Sequence, residues 1–255
     1  GEVTGSIDES VRHAISKLAH IHFPATKRAR EFLIRMGEDP DSVFLTGCPA
    51  IDLVAEADLS VQPDLFSTYK GVGEDLTPER DYIIVLQHPV TTEYGSGLAQ
   101  INETLNAVHP VALGGMQVVW LWPNVDAGSD DVARGIRVFR ENHDTPNMHF
   151  YRNFGPEHYA SLLANARCIV GNSSSGLREG AFLGTPCVNI GSRQSGRERA
   201  ENVIDVPYEA AAIRSAIEAQ LAHGRYGASD LVGDGTAGRR IADVLATCEA
   251  GIQKK

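Results

Sequence analysis

Three short loops and the N-terminal end hold the residues whose types and spacing suit chemistry. In Gly171-Asn172-Ser173-Ser174-Ser175-Gly176 the small side chains let the backbone approach a ligand closely, and the Ser173 and Ser174 hydroxyls can donate to it. Backbone N–H groups at the start of the next helix would then suit a phosphate. The same string is also an ordinary Ser/Gly helix cap, and it fits neither the Walker A nor the GxGxxG pattern. In Gln87-His88-Pro89-Val90-Thr91-Thr92-Glu93, His88 can neutralise a phosphate, move a proton or simply shape a turn. The third loop runs Gly191-Ser192-Arg193-Gln194-Ser195-Gly196-Arg197-Glu198-Arg199. Its three arginines within seven residues of an acidic protein point to anion binding. Arg193 is the candidate for that work, while Arg197 and Arg199 read as a solvated charged loop. Glu2 and Glu9 flank a Gly/Thr-rich stretch. Paired carboxylates beside a cleft do acid/base work, although Glu9 is also the last residue of the capping box Ser6-Ile7-Asp8-Glu9. Arg12 and His13 follow one turn later, and His20 and His22 read as structural.

These loops need strands and helices to position them. Ile7, Val11, Ile15 and Leu18 repeat at helical spacing, and Thr26 can cap a second helix that Gly37 stops. Ile21-His22-Phe23 and residues 43–46 read as short strands, and a polar, irregular stretch over residues 55–80 reads as interdomain. From residue 81 onward strands and helices alternate. Strands are predicted at 82–86, 117–122, 148–151, 168–170, 187–190 and 203–206. Helices are predicted over about 97–108, from near Ser129, over 156–166 with Pro156 in its first position, over 175–183, over 209–222 and over 236–249. Such alternation indicates βαβ units, a parallel sheet and a Rossmann-like α/β domain. All three loops then fall at strand C-termini, where open α/β sheets bind ligands.

Composition narrows the function classes. The chain has 255 residues, 42% hydrophobic and 22% charged, which is globular usage. A formal net charge of -10 argues against nucleic acid as the main partner. No apolar run approaches the roughly 18–20 residues of a membrane span, and no signal-peptide pattern is present, so a cytoplasmic protein is expected. Cys48, Cys168, Cys187 and Cys248 are spread without a CxxC pair, which disfavours a zinc site or a disulfide framework. No HxxxH pattern with a matching acid suggests any other metal site. The chain opens at Gly1 directly into a helix-start signal, and further sequence upstream is expected.

At these loops the chain resembles the hydrolysing UDP-N-acetylglucosamine 2-epimerases of bacterial sialic acid and legionaminic acid pathways, and the epimerase half of the animal bifunctional enzyme. The strings that carry the resemblance are GEVTGSIDESVRHAISKLAHIHF, MGEDPDSVFLTG, QHPVTTEYG, WLWPNVDAGSD and GNSSSGLREGAFLGTPCVNIGSRQSGRERAENVIDV. The resemblance implies a GT-B-like fold, two Rossmann-like domains facing across a cleft, the first incomplete here. Residues 1–50 would end the N-terminal domain, 51–65 link, 66–230 form the UDP-binding domain, and 231–255 carry a helix crossing back. An upstream phosphate-contacting arginine and catalytic aspartate of the family have no match. By resemblance, Ser173, Ser174 and Arg193 would hold the diphosphate, Glu179 the ribose, and backbone near Asn153 the uracil. His88, Glu2 and Glu9 would be catalytic. The implied reaction eliminates UDP across C1–C2 and adds water, releasing UDP and an N-acetylmannosamine-type sugar or its 6-deoxy-diacetamido relative. It needs no metal or nicotinamide, and the family tends to form dimers or tetramers. The alternatives are a non-hydrolysing 2-epimerase, a GT-B glycosyltransferase and a UDP-binding module without activity.

Overall fold

The computed structural model describes residues 1–2 and 7–248, with the backbone alone at Ile7 and Asp8. Ser6 of the expected capping box lies outside the described residues. The centre is a seven-stranded sheet of β1 (Gly71–Gly73), β2 (Tyr82–Leu86), β3 (Gln117–Leu121), β4 (Met148–Tyr151), β5 (Cys168–Gly171), β6 (Cys187–Ile190) and β7 (Val203–Val206), in the order β1-β4-β3-β2-β5-β6-β7. β1 runs antiparallel to β4 and every other pairing is parallel. Apart from β1, this is the doubly wound order, with sheet growth reversing between β2 and β5.

The buried strands read as unbroken apolar runs because helices cover both sheet faces. Alternate residues feed two cores. Ile83, Val85, Val118 and Trp120 meet α5 (Gly97–Leu113), α6 (Ser129–Asn142) and α10 (Ala210–His223). Tyr82, Ile84, Val119 and Leu121 meet α7 (Pro156–Asn165) and α8 (Ser174–Leu177). Each fully buried aliphatic side chain contributes on the order of 1.5–3 kcal/mol. Cys168 and Cys187 belong to opposite cores, and all four cysteines are free.

Several elements depart from the sequence expectation. α5 continues past Pro110 to Leu113, since Val108 and Ala112 are fully buried and their packing outweighs the lost backbone donor. The helix expected over 175–183 is broken at Arg178 into α8 and α9 (Glu179–Leu183). The stretch read as irregular and interdomain holds α4 (Leu65–Thr68) and β1, and the end of α3 (Pro49–Glu56) runs into its start. The two expected N-terminal strands form a single parallel bridge, His22 to Val43.

α1 (Ile7–Leu18) precedes that bridge, and α2 (Lys27–Arg35) lies between its two partners. Thr26 caps α2, its hydroxyl accepting from the Ala29 N–H at 3.1 Å, and Gly37 follows the helix at φ +89°. His22 is structural as expected, sealed at 2.9 Å against the buried Glu38, which also pairs with Lys17 of α1. At the other end, Asp52 of α3 accepts from the Ala237 and Gly238 N–H groups at 3.0 and 2.6 Å. It thereby caps α11 (Ala237–Thr247) from another element. Among the described residues no helix is long and apolar enough to cross a membrane.

Candidate active site

Reversal of strand order between β2 and β5 opens a crevice beyond their C-terminal ends, and a cleft of about 480 Å³ lies there. His88, Asn153, Ser173, Ser174 and Arg193 all line it, together with Trp122 and Tyr159. Five residues singled out from sequence therefore share one cavity, although up to 105 positions separate them.

Asn172 holds this convergence in place. The residue is fully buried just past β5, and its side chain grips the backbone of His88 twice. Asn172 Oδ1 accepts from the His88 N–H at 2.7 Å, and Nδ2 donates to the His88 carbonyl at 2.8 Å. Its own carbonyl accepts from Arg193 Nη1 at 3.2 Å and Gln194 Nε2 at 2.8 Å. One asparagine thus ties the loops after β2, β5 and β6 together. Gly171 makes this approach feasible: its φ is +134°, and a Cβ there would lie 2.1 Å from the Leu86 carbonyl oxygen.

The His88 ring has a defined role in hydrogen bonding. The Asn124 N–H donates to Nδ1 at 3.1 Å, so the neutral ring carries its proton on Nε2. Burial, and then the nearby Arg193 charge, lower its pKa from 6.5 to about 4. At neutral pH His88 is therefore an uncharged donor, and Arg193 supplies the positive charge at this end of the cleft. Beside it, hydroxyls are chained: Tyr159 OH to Ser175 Oγ at 2.6 Å, and Ser175 Oγ to Ser173 Oγ at 2.9 Å. Ser173 also caps α8, accepting from the Ser175 N–H at 3.3 Å. With α8 only four residues long, what this wall offers a ligand is individual N–H and O–H donors and not a long helix dipole.

The candidate carboxylates sit elsewhere. Glu2 lines a separate hollow of about 20 Å³ with Arg28, Arg178 and Arg197. Its Oε1 lies 3.1 Å from Arg197 Nε. Glu179 lines neither cavity. Its Oε2 is buried without a hydrogen-bond partner, and burial raises its pKa against the opposing pull of Arg178 and Arg197. Glu9, on α1, lies 4.0 Å from His13 Nε2.

Two expectations for the arginine loop are corrected. Arg197 is not solvated: it pairs with Glu2 and donates to Gln194 Oε1 at 2.6 Å, and burial lowers its pKa. Arg199 is also engaged, with Nε 2.8 Å and Nη2 3.1 Å from the two Asp205 carboxylate oxygens. Both loop arginines are spent on fixing the loop, because its backbone carbonyls and neighbouring acids offer near partners. Sequence reasoning gave no role to Asn172, Gln194 or Tyr159. An amide side chain immediately after a β-strand was the available signal.

The family profile described as UDP-N-acetylglucosamine 2-epimerase matches residues 1–246. The chain is 35% identical over 247 residues to the hydrolysing UDP-N,N'-diacetylbacillosamine 2-epimerase of Legionella pneumophila, a match covering 97% of this chain and 63% of that protein. It is 32% identical over 250 residues to the UDP-N-acetylglucosamine 2-epimerase of Neisseria meningitidis, covering 96% and 62%. The chain thus spans a little under two thirds of these relatives' lengths. Among solved structures, the Neisseria meningitidis UDP-GlcNAc 2-epimerase bound to UDP-GlcNAc superposes with a TM-score of 0.72 at 17% identity, covering 95% of this chain and 65% of that one. That likeness gives the fold, the GT-B-like α/β arrangement of these epimerases. Since the family profile extends over nearly the whole chain, this protein belongs to the UDP-N-acetylglucosamine 2-epimerase family.

Proposed function

We propose that the protein is a hydrolysing 2-epimerase, converting UDP-N-acetylglucosamine or a 6-deoxy-diacetamido relative into UDP and the free 2-epimeric sugar. One observation carries the reading: the cleft at the strand-order reversal gathers a buried neutral histidine, an arginine and two serine hydroxyls from three different loops. The printed activity of the Legionella pneumophila relative supports the hydrolysing form.

In this reading the uracil lies against backbone near Asn153, and the diphosphate faces Ser173, Ser174, Arg193 and His88. Glu179 accepts from the ribose hydroxyls. The C2 proton of the sugar has no adjacent carbonyl to acidify it, so its removal needs a leaving group that departs in the same step. A carboxylate, Glu2 or Glu9, takes the C2 proton; the C–H pair forms the C1–C2 double bond; and the C1–O pair leaves with UDP. His88 Nε2–H and the Arg193 guanidinium stabilise the charge that gathers on the departing oxygen. Water then adds at C1 of the glycal while a proton returns to the opposite face of C2. Residues 1–50 would close this site as the end of an N-terminal domain, 51–65 would link, 66–230 would bind UDP, and residues 231–255 would cross back through α11. The active form would be a dimer or tetramer in the cytoplasm.

Proton NMR with UDP-N-acetylglucosamine in deuterated water tests the reading. Free N-acetylmannosamine carrying deuterium at C2, together with UDP, is the expected outcome. UDP-N-acetylmannosamine as the product would replace it with the non-hydrolysing reaction. Binding of UDP without turnover of either UDP-sugar would leave a UDP-binding module.

A further inference from the structure

A continuous line of polar side chains joins the small hollow to the cleft. Glu2 pairs with Arg197 at 3.1 Å; Arg197 Nη1 donates to Gln194 Oε1 at 2.6 Å; Gln194 Nε2 donates to the Asn172 carbonyl at 2.8 Å. Asn172 then grips His88 through both amide atoms. Gln194 is 1% exposed and Asn172 is fully buried, so solvent does not compete for these contacts. The Gln194 amide can face only one way. Turned by half a circle, it would set its NH2 against the Arg197 guanidinium and its oxygen against the Asn172 carbonyl, making both contacts repulsive. A buried amide with one permitted orientation transmits placement between its neighbours.

We propose that Gln194 is a positioning residue: its amide fixes Arg197 against Glu2 on one side and, through Asn172, His88 at the cleft on the other. The two candidate catalytic groups, His88 in the cleft and Glu2 in the hollow, thereby keep one relative placement. The inference rests on the epimerase reading for its chemical meaning but not for its geometry, and the two can fail separately.

The test uses the full chain with two variants. Gln194→Glu keeps an acceptor for Arg197 but sets an oxygen against the Asn172 carbonyl; Gln194→Met keeps the volume and loses both bonds. Amide hydrogen exchange is followed at His88, whose N–H donates to Asn172, and at Val85, inside β2. In both variants His88 exchange is expected to accelerate by about tenfold or more, with Val85 unchanged. With UDP-N-acetylglucosamine, kcat is expected to fall by up to about a hundredfold at a KM within about threefold of the parent. Unchanged His88 exchange in both variants would overturn the proposal. So would His88 and Val85 loosening together, since that marks a purely structural glutamine. If the parent turns over no UDP-sugar but His88 exchange responds as stated, the positioning role stands and the epimerase reading falls.

Discussion

The cleft and the hollow beside it share two of their loops but hold their polar groups by opposite means. In the cleft, neutral amides do the holding: Asn172 clamps the His88 backbone, and the ring is an uncharged donor. In and around the hollow, charges face one another: Glu2 pairs with Arg197 inside it, and Glu179, outside its lining, presents an unpartnered buried oxygen under the influence of Arg178 and Arg197. Neutral hydrogen bonds keep their geometry across pH and salt, whereas ion pairs and buried carboxylates change with both. The difference separates a frame whose geometry does not depend on ionisation from a region that responds to it; under the epimerase reading the first is the one that meets the nucleotide.

The largest effect is expected from breaking the neutral frame. Asn172→Ala leaves the His88 N–H and carbonyl buried without partners. At about 1–3 kcal/mol for each abandoned group, stability to denaturant should fall by roughly 2–6 kcal/mol. A loss below about 1 kcal/mol would mean that water or a neighbour takes over the clamp.

Acid sharpens the same contrast. His88 takes a proton near pH 6.5 when unfolded but only near 4 in the fold, so protonation favours the unfolded chain. Its contribution is complete above pH 6.5 and is lost as pH falls toward 4, amounting to about 3 kcal/mol at most. His88→Asn can still accept from the Asn124 N–H but does not titrate, and should flatten that part of the stability curve. Under the epimerase reading the same variant loses the Nε2 donor, and turnover should drop by about 10²–10³. Parent-like turnover in His88→Asn would remove His88 from the chemistry.

The charged region around the hollow should answer with the opposite sign. Because burial raises the Glu179 pKa, its contribution to stability is present in acid and declines as pH rises through the folded value. Glu179→Gln should therefore stabilise the protein at neutral pH and, under the epimerase reading, weaken UDP binding by about 1 kcal/mol in a calorimetric titration, because the amide keeps an acceptor but loses the charge. Unchanged UDP affinity would take Glu179 out of the nucleotide site.

Legibility in the sequence follows the same division. Strands β2 to β7 were readable because a sheet buried on both faces leaves continuous apolar runs, and His88, Ser173, Ser174 and Arg193 were readable because each follows such a run. The short elements between residues 49 and 73 were not, since α3, α4 and β1 are each eight residues or fewer and lack a full period of either pattern. Arg197 was misread because composition shows a charge but not its partner, and Glu2 lies 195 positions away. Asn172 and Gln194 were passed over for a related reason: an amide has no charge or nucleophile to draw attention, and its value comes only from what surrounds it. The groups that share the cleft were thus visible in the loops, and the frame that holds them was not.

The smallest effect tests how far the hollow depends on distant structure. Val232 lines the hollow, and its carbonyl accepts from the Cys48 N–H at 2.8 Å. Five residues after Val232 the chain enters α11, whose first N–H groups are held by Asp52. Removing a helix cap costs about 1 kcal/mol. Asp52→Ala should loosen α11 by that amount, read as faster amide exchange at Ala237 and Gly238. Because the seam runs through Val232 to the hollow and not to β2, exchange at His88 should stay at the parent rate. If His88 loosened as well, the cleft would not be an independent frame, and its separation from the charged hollow would have to be given up.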